Sequence, residues 1–255
     1  MTVMTEHPPV KTLRAQEADW FEEWFGEDYL HIYQHRDEAE AESAIELIAT
    51  NLAGRQIDKV LDLACGAGRH TRVLRERWWT VGLDLSMALL KLARKESPEA
   101  PYVRADMREL PFADESFDLV VNLFTSFGYF DDDSEHVRVL SCVGAAMKPG
   151  GTFVIDFLNA SQVRRELVPY DERVENGITI EQWRAISPDG RFVEKRIRLR
   201  ERGREYSERV RLLSPRDLQT MLLTAGFSVV KLFGDYAGTD WMEDSPRTIL
   251  FASRQ

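Results

Sequence analysis

An acid, an alanine two residues on, and two glycines one residue apart close an apolar run: Val60-Leu61-Asp62-Leu63-Ala64-Cys65-Gly66-Ala67-Gly68. The run reads as a strand, the glycines as a tight turn, and Arg69-His70 onward as a helix N-terminus. That is the arrangement through which a parallel α/β sheet admits a nucleotide-like ligand. Gly66 and Gly68 let the backbone approach the ligand, because a Cβ would fill that space. Asp62 selects among ligands: it would repel a pyrophosphate and attract an ammonium group. The loop therefore points to a zwitterionic, positively charged nucleoside, unless Asp62 merely satisfies N–H groups of its own loop. A dehydrogenase is disfavoured, since Thr71 stands where the third glycine of G-x-G-x-x-G belongs.

The elements that follow must position further polar groups around the same ligand. Thr80-Val81-Gly82-Leu83-Asp84-Leu85-Ser86 reads as a second strand ending in an acid, where a ribose diol is gripped by paired hydrogen bonds. The alternative for Asp84 is a solvated acid at a helix start. A third strand, Tyr102 to Ala105, delivers Asp106 and Met107, an acceptor for an adenine amino group and a thioether for its face; Asp106 can equally cap the next turn. A fourth, Phe117 to Leu123, ends in Asn122 and Leu123 and runs into Phe124-Thr125-Ser126-Phe127-Gly128-Tyr129-Phe130. Met147-Lys148-Pro149-Gly150-Gly151 turns into a fifth, Thr152 to Asp156.

This order resembles the class I S-adenosylmethionine-dependent methyltransferases over about residues 56 to 160. Within that class, Asn122 to Phe130 is similar to the segment after strand four in N-methyltransferases acting on nucleotide-linked amino sugars. An antiparallel insert before the last helix and an aromatic N-terminal lid are features of that branch and of glycine N-methyltransferase-like enzymes. The resemblance implies S-adenosyl-L-methionine as cofactor, held by Asp62, Ala64, Gly66, Gly68, Asp84, Leu85, Asp106, Met107, Asn122 and Leu123. In it, Asn122 and the Ala64 carbonyl serve the methionine amino group. It also implies that a segment bearing Tyr33 and Arg36 closes over the cofactor, with Arg36 on the methionine carboxylate.

A sulfonium methyl is already activated, so the protein has to align a nucleophile in line with the S–CH3 bond and exclude water. An amine acceptor needs little general-base help, whereas an ordinary hydroxyl needs a base. The positions after strand four hold Asn122, Thr125, Ser126 and Tyr129 rather than His or Glu, which favours nitrogen or an acidic oxygen. Tyr129 is the candidate catalytic residue, one hydrogen bond from the reacting atoms, or else a tyrosine packed under the lid.

The 255 residues are 44% hydrophobic and 30% charged, which suits one α/β domain with a full core. A net charge of -10 argues against nucleic acid, whose phosphates the chain as a whole would repel. Residues 161 to 216 nevertheless hold 14 Lys and Arg against 10 Asp and Glu. The interleaved glutamates make this a solvated face rather than an RNA platform. No apolar run approaches the roughly 18 residues that span a bilayer, and Met1 to Lys11 lacks a signal-peptide core, so a cytoplasmic protein is expected. Cys65 and Cys142 read as small buried filler in a reducing compartment. No metal site is expected: Asp131-Asp132-Asp133 reads as the cap of a helix beginning near Ser134, and His31, His35, His70 and His136 as surface or lid residues.

The predicted fold is α/β: a Rossmann-like, seven-stranded, mostly parallel sheet with a three-stranded antiparallel insert after strand five and a helical N-terminal lid. The lid spans residues 1–54, with Trp20, Phe21, Trp24 and Phe25 at helical spacing and an amphipathic helix over Glu38 to Leu52. The cofactor domain comprises 55–171 and 214–255. The insert, 172–213, has strands at Ile178 to Ile186, Phe192 to Arg200 and Glu205 to Leu213 and forms part of an acceptor pocket. Its Arg184, Arg196 and Arg198, with Arg247, are candidates for an anionic handle. The expected activity is methyl transfer to a small-molecule amine or acidic oxygen by in-line displacement. A tRNA or protein methyltransferase and a non-catalytic nucleoside-binding protein are the alternatives.

Overall fold

The computed structural model describes residues 38–255. The expected lid helix, with Tyr33 and Arg36, lies outside the described residues. The first half alternates as expected: α1 (Glu38–Asn51), β1 (Lys59–Leu63), α2 (Arg69–Arg75), β2 (Trp79–Asp84), α3 (Met87–Glu96), β3 (Tyr102–Arg104), β4 (Phe117–Asn122), α4 (Asp133–Ala146) and β5 (Met147–Leu158). The second half holds α5 (Ala160–Glu166), β6 (Tyr170–Glu175), β7 (Ile178–Ile186), β8 (Phe192–Leu199), a short 3-10 turn (Arg200–Arg202) and β9 (Arg204–Arg211). It closes with α6 (Pro215–Thr224), β10 (Phe227–Phe233) and β11 (Arg247–Arg254).

The seven-stranded sheet has the order β10-β11-β5-β4-β1-β2-β3. Neighbours among β1 to β5 pair in parallel, and β11 runs antiparallel to both β5 and β10. The chain leaves β1 toward β2 and β3, then returns to place β4 on the other side of β1. A crevice opens outside the strand ends at such a reversal. Both faces of the sheet are covered, which explains the near-continuous apolar strands. Leu61, Val120, Phe153, Ile155 and Leu250 face α4 and α6, while Val60, Leu119, Val121, Val154 and Phe251 face the Ile45–Ile48 stripe of α1. Neighbouring residues along each strand thus serve opposite cores, as the two-residue period of a strand requires.

The insert is a separate antiparallel sheet of four strands, β6-β7-β8-β9, not the three expected. The extra strand β6 pairs with β7 across Asn176-Gly177, both at positive φ (50° and 77°). Asn-Gly is the dipeptide that a two-residue hairpin turn demands, so the signal was present. It was masked because no residue of Tyr170–Glu175 is buried and the segment has no apolar face. Among the described residues no helix is long and apolar enough to cross a membrane.

Helix α6 shows how local sequence sets these boundaries. Ser214 Oγ accepts from the Asp217 N–H (3.2 Å), Asp217 accepts in return from the Ser214 N–H (2.9 Å), and Pro215 occupies the first turn. This reciprocal cap satisfies two otherwise orphaned donors. Ser214→Ala is expected to lower unfolding free energy by about 1 kcal/mol. Urea denaturation should show a lower midpoint at unchanged slope; an unshifted midpoint would mean the cap contributes nothing.

Candidate functional site

A cavity of about 690 Å³ lies where β1, β2, β3 and β4 end, at the sheet's point of reversal. Its walls are Ala64 to Ala67 after β1, Asp84 to Ser86 after β2, Ala105 to Met107 after β3, and Leu123 to Ser126 after β4. Tyr129 and Phe130 continue the last wall, and Glu208 and Val210 of β9 complete it from the insert.

Asp84 organises one side. Its two carboxylate oxygens accept from the Gly66 and Ser86 N–H groups, both at 2.8 Å, so one side chain fixes the loops after β1 and β2. Burial pushes its pKa up, and the N–H groups of Ser86, Gly66 and Leu85 pull it back part of the way. Gly66 adopts a positive φ of 56° within this loop. Asp106 is held by Arg108, whose Nε lies 3.1 and 3.0 Å from the two oxygens and whose backbone N–H donates at 2.8 Å. Burial opposes its ionisation, yet the Arg108 hydrogen bonds and charge hold its carboxyl below the usual range. Arg108 is itself fixed by Glu135 (2.7 Å) and by the Phe130 ring, 4.8 Å from its guanidinium carbon.

Eight predicted residues therefore line the cavity together: Ala64, Gly66, Asp84, Leu85, Asp106, Met107, Leu123 and Tyr129. Three others stand behind it. Asp62 is buried under the loop, where it accepts from Thr71 Oγ1 (2.6 Å), so its charge is not part of the wall. Gly68, at φ 78°, makes room for the Tyr102 side chain, because a Cβ there would fall 2.5 Å from the Tyr102 hydroxyl. Asn122 is fully buried and donates to the Leu63 carbonyl (3.0 Å) and the Ser126 carbonyl (3.2 Å), tying β1 to the loop after β4.

The loop after β4 carries backbone strain. Phe124 and Thr125 are consecutive non-glycine residues at φ 61°. Each such residue costs about 1 kcal/mol or more, and a β-branched threonine is a rare occupant. Tyr129 Oη donates to the Thr125 carbonyl (2.8 Å), and the Phe124 ring lies 4.8 Å from the Arg69 guanidinium carbon and 5.2 Å from that of Arg247.

The structure also relocates several groups. His70 is buried and lines the cavity at the start of α2, rather than lying on the surface. His136 is fully buried on the apolar face of α4 between Phe127 and Phe130, and burial pushes its pKa down to about 4, so it is neutral. Asp132 caps α4 through the Ser134 N–H (2.8 Å), as expected. Its neighbours anchor the insert: Asp131 pairs with Arg209, and Asp133 takes both prongs of Arg211 at 3.0 Å. Among the described residues no His, Cys, Asp and Glu cluster suits a metal. None of the four arginines suggested for an anionic handle lines the cavity. Arg184 pairs with Asp171, Arg198 with Glu205 and Arg247 with Asp156, while Arg196 stacks on Trp183 at 4.4 Å. Of the aromatic residues expected beside the acceptor, Phe124 and Tyr129 line the cavity and Phe127 is buried in the core. Cavity-lining Arg69 and Glu208 were not singled out, since no motif marks them and only the assembled loops do.

Residues 60–151 match the model of the methyltransferase domain family. The described chain as a whole has the fold of S-adenosylmethionine-dependent methyltransferases. One such enzyme from Clostridium acetobutylicum superposes with a TM-score of 0.77 at 19% identity, over 89% of this chain and 98% of that one. A sugar N-methyltransferase from Streptoalloteichus superposes at 0.67 with 23% identity, over 100% and 99%. In sequence, a dTDP-3-amino-3,4,6-trideoxy-alpha-D-glucopyranose N,N-dimethyltransferase of Streptomyces venezuelae is 31% identical over 119 residues, 46% of this chain and 49% of that protein. The matched region is thus about half the length of that curated relative.

The buried Asp62 gives a pH prediction. Burial, helped by the nearby Asp84 charge and opposed by the Thr71 hydroxyl, pushes its carboxyl from 3.8 up to about 7. Between those values the folded protein keeps a proton that the unfolded chain has released, so the Asp62 contribution to stability falls as pH rises from about 4 to about 7 and then levels off. Asp62→Asn should flatten this decline in melting temperature. An undiminished slope would assign the decline to other groups.

Proposed function

We propose that the protein transfers the methyl group of S-adenosyl-L-methionine to an amine, or an acidic oxygen, of a small molecule. The observation that carries this reading is the cavity at the strand ends, with the Asp84 carboxylate and the Gly66 backbone in one wall. When bound, the cofactor supplies an activated sulfonium methyl. Asp84 grips the ribose diol, and Asp106, Met107 and Leu85 surround the adenine. Ala64, Gly66 and Leu123 shape the space for the methionine part. Asp62, Gly68 and Asn122 support these walls from behind.

Phe124, Tyr129, Phe130, Glu208 and Val210 line the cavity; in this reading they bound the acceptor end, which makes the insert (172–213) part of the acceptor pocket. Tyr129, fixed by its hydrogen bond to the Thr125 carbonyl, lines this end and is the residue proposed to orient the acceptor nitrogen. A cavity of this size suits a small molecule. The insert's basic residues support the same reading: Arg184, Arg198, Arg200, Arg209 and Arg211 are each paired with Asp or Glu rather than free for phosphates. The name of the Streptomyces venezuelae relative makes amino sugars the leading acceptor class.

Isothermal titration with S-adenosylmethionine, S-adenosylhomocysteine and NAD is expected to show micromolar-scale binding of the first two; preferential NAD binding would overturn the cofactor assignment. Asp84→Asn keeps the shape and removes the charge. Because hydrogen bonds to a charged group are worth about 1.5–3 kcal/mol, affinity should fall roughly tenfold or more. Transfer of radiolabelled methyl should appear in a metabolite pool supplemented with amino sugars. Label confined to tRNA or protein would replace the small-molecule reading with a macromolecular one.

A further inference from the structure

Asp156, near the end of β5, is fully buried, and three donors from three different segments converge on its carboxylate. The Phe124 N–H donates to Oδ2 at 2.8 Å, the Tyr236 hydroxyl to Oδ2 at 2.6 Å and Arg247 Nε to Oδ1 at 2.6 Å. The Asp156 backbone carbonyl accepts from the Thr125 N–H at 3.0 Å, and Arg247 Nη2 reaches Thr125 Oγ1 at 3.2 Å. Three of these five bonds end on the two residues held at φ 61°, and the other two tie Tyr236 and Arg247 to the same carboxylate. Asp156, Arg247 and Tyr236 do not themselves line the cavity, whereas Phe124 and Thr125 do.

We propose that Asp156, Arg247 and Tyr236 are positioning residues that hold the strained Phe124–Thr125 turn in its cavity-lining form and so set the fit of the cofactor pocket. The physical reason is the mismatch between the turn and its residues. Two side chains in a left-handed conformation relax to ordinary φ unless surrounding bonds over-determine them. Here both N–H groups, the threonine hydroxyl and, through Tyr129, the Thr125 carbonyl are taken. The Phe124 ring is further confined between two guanidinium groups. A buried ion pair that served only the core would have no need to terminate on a strained, ligand-facing turn. Tyr236 lies between β10 and β11, so the trio also makes the far edge of the sheet responsible for the pocket's shape.

The inference rests on the cofactor reading above, and the test separates the two. The probe is S-adenosylhomocysteine, with affinity measured by titration and folding by thermal melt. Asp156→Asn alone would leave Arg247 buried without a counter-charge, so it is combined with Arg247→Met, which removes both charges together. The double variant is expected to bind the probe at least tenfold more weakly while still melting cooperatively. Adding Thr125→Gly, which makes a positive φ costless, should bring affinity back to within about threefold of wild type. Wild-type affinity in the double variant, or no recovery with the glycine, overturns the proposal. If the double variant does not fold, Tyr236→Phe decides: a rise in Kd of about threefold supports the proposal and an unchanged Kd overturns it. Failure of the wild-type protein to bind the probe would count against the cofactor reading instead.

Discussion

A carboxylate at the end of β2 is the group on which the cavity's geometry depends. Asp84 is almost completely buried, a state that disfavours its charge, and the N–H groups of Ser86 and Gly66, both at 2.8 Å, together with that of Leu85 offset part of that cost. The dependence runs in both directions. The loop after β1 and the start of the segment leading into α3 take their positions from Asp84, and Asp84 stays ionisable only because they are there. Ser86, which donates to Asp84, also caps α3 by accepting from the Leu89 N–H at 3.2 Å. One side chain thereby links a glycine turn, a strand end and a helix start around the place where a ligand enters.

Much of this was legible in the chain, because the short apolar runs and the punctuation between them are local signals. The parallel half, the capped helix at Ser214-Pro215 and the turn at Ser187 to Gly190 all read directly from residue type. The groups that line the cavity were also legible where a strand end fixes them, as for Asp84, Asp106 and Met107. What sequence could not distinguish is the front of a loop from its back. Asp62 and Asn122 occupy the expected positions, yet their side chains turn inward to Thr71 and to the Leu63 carbonyl. Spacing sets where a residue sits along a strand; the choice between ligand and scaffold is made by neighbours distant in sequence.

The same limit explains Arg247 and His136. From sequence, the arginine near the C-terminus reads as a candidate anion partner and the histidine in an acidic stretch as a surface or lid residue. In the fold, Arg247 finds Asp156 across 91 positions of sequence, and although burial opposes its charge, the Asp156 carboxylate outweighs that and leaves it firmly cationic. His136 finds two phenylalanine rings and stays neutral. Both are consequences of tertiary contacts that no local pattern encodes. Conversely, the tandem left-handed residues at 124 and 125 contradict their own propensities, the kind of local conflict that a fold tolerates where a site needs it.

The acid triplet at 131 to 133 has a consequence for how such a chain diversifies. The insert leaves the core after α5, returns at α6, and is clamped by Arg209 to Asp131 in the loop before α4 and by Arg211 to Asp133, the first residue of α4. The match to the methyltransferase domain stops at Gly151, before the insert begins. A four-stranded sheet fastened at a few charged points is an exchangeable cassette. Glu208 and Val210, its contribution to the cavity wall, can be exchanged without touching the loops at the ends of β1 to β4, so one wall of the cavity is structurally independent of the others.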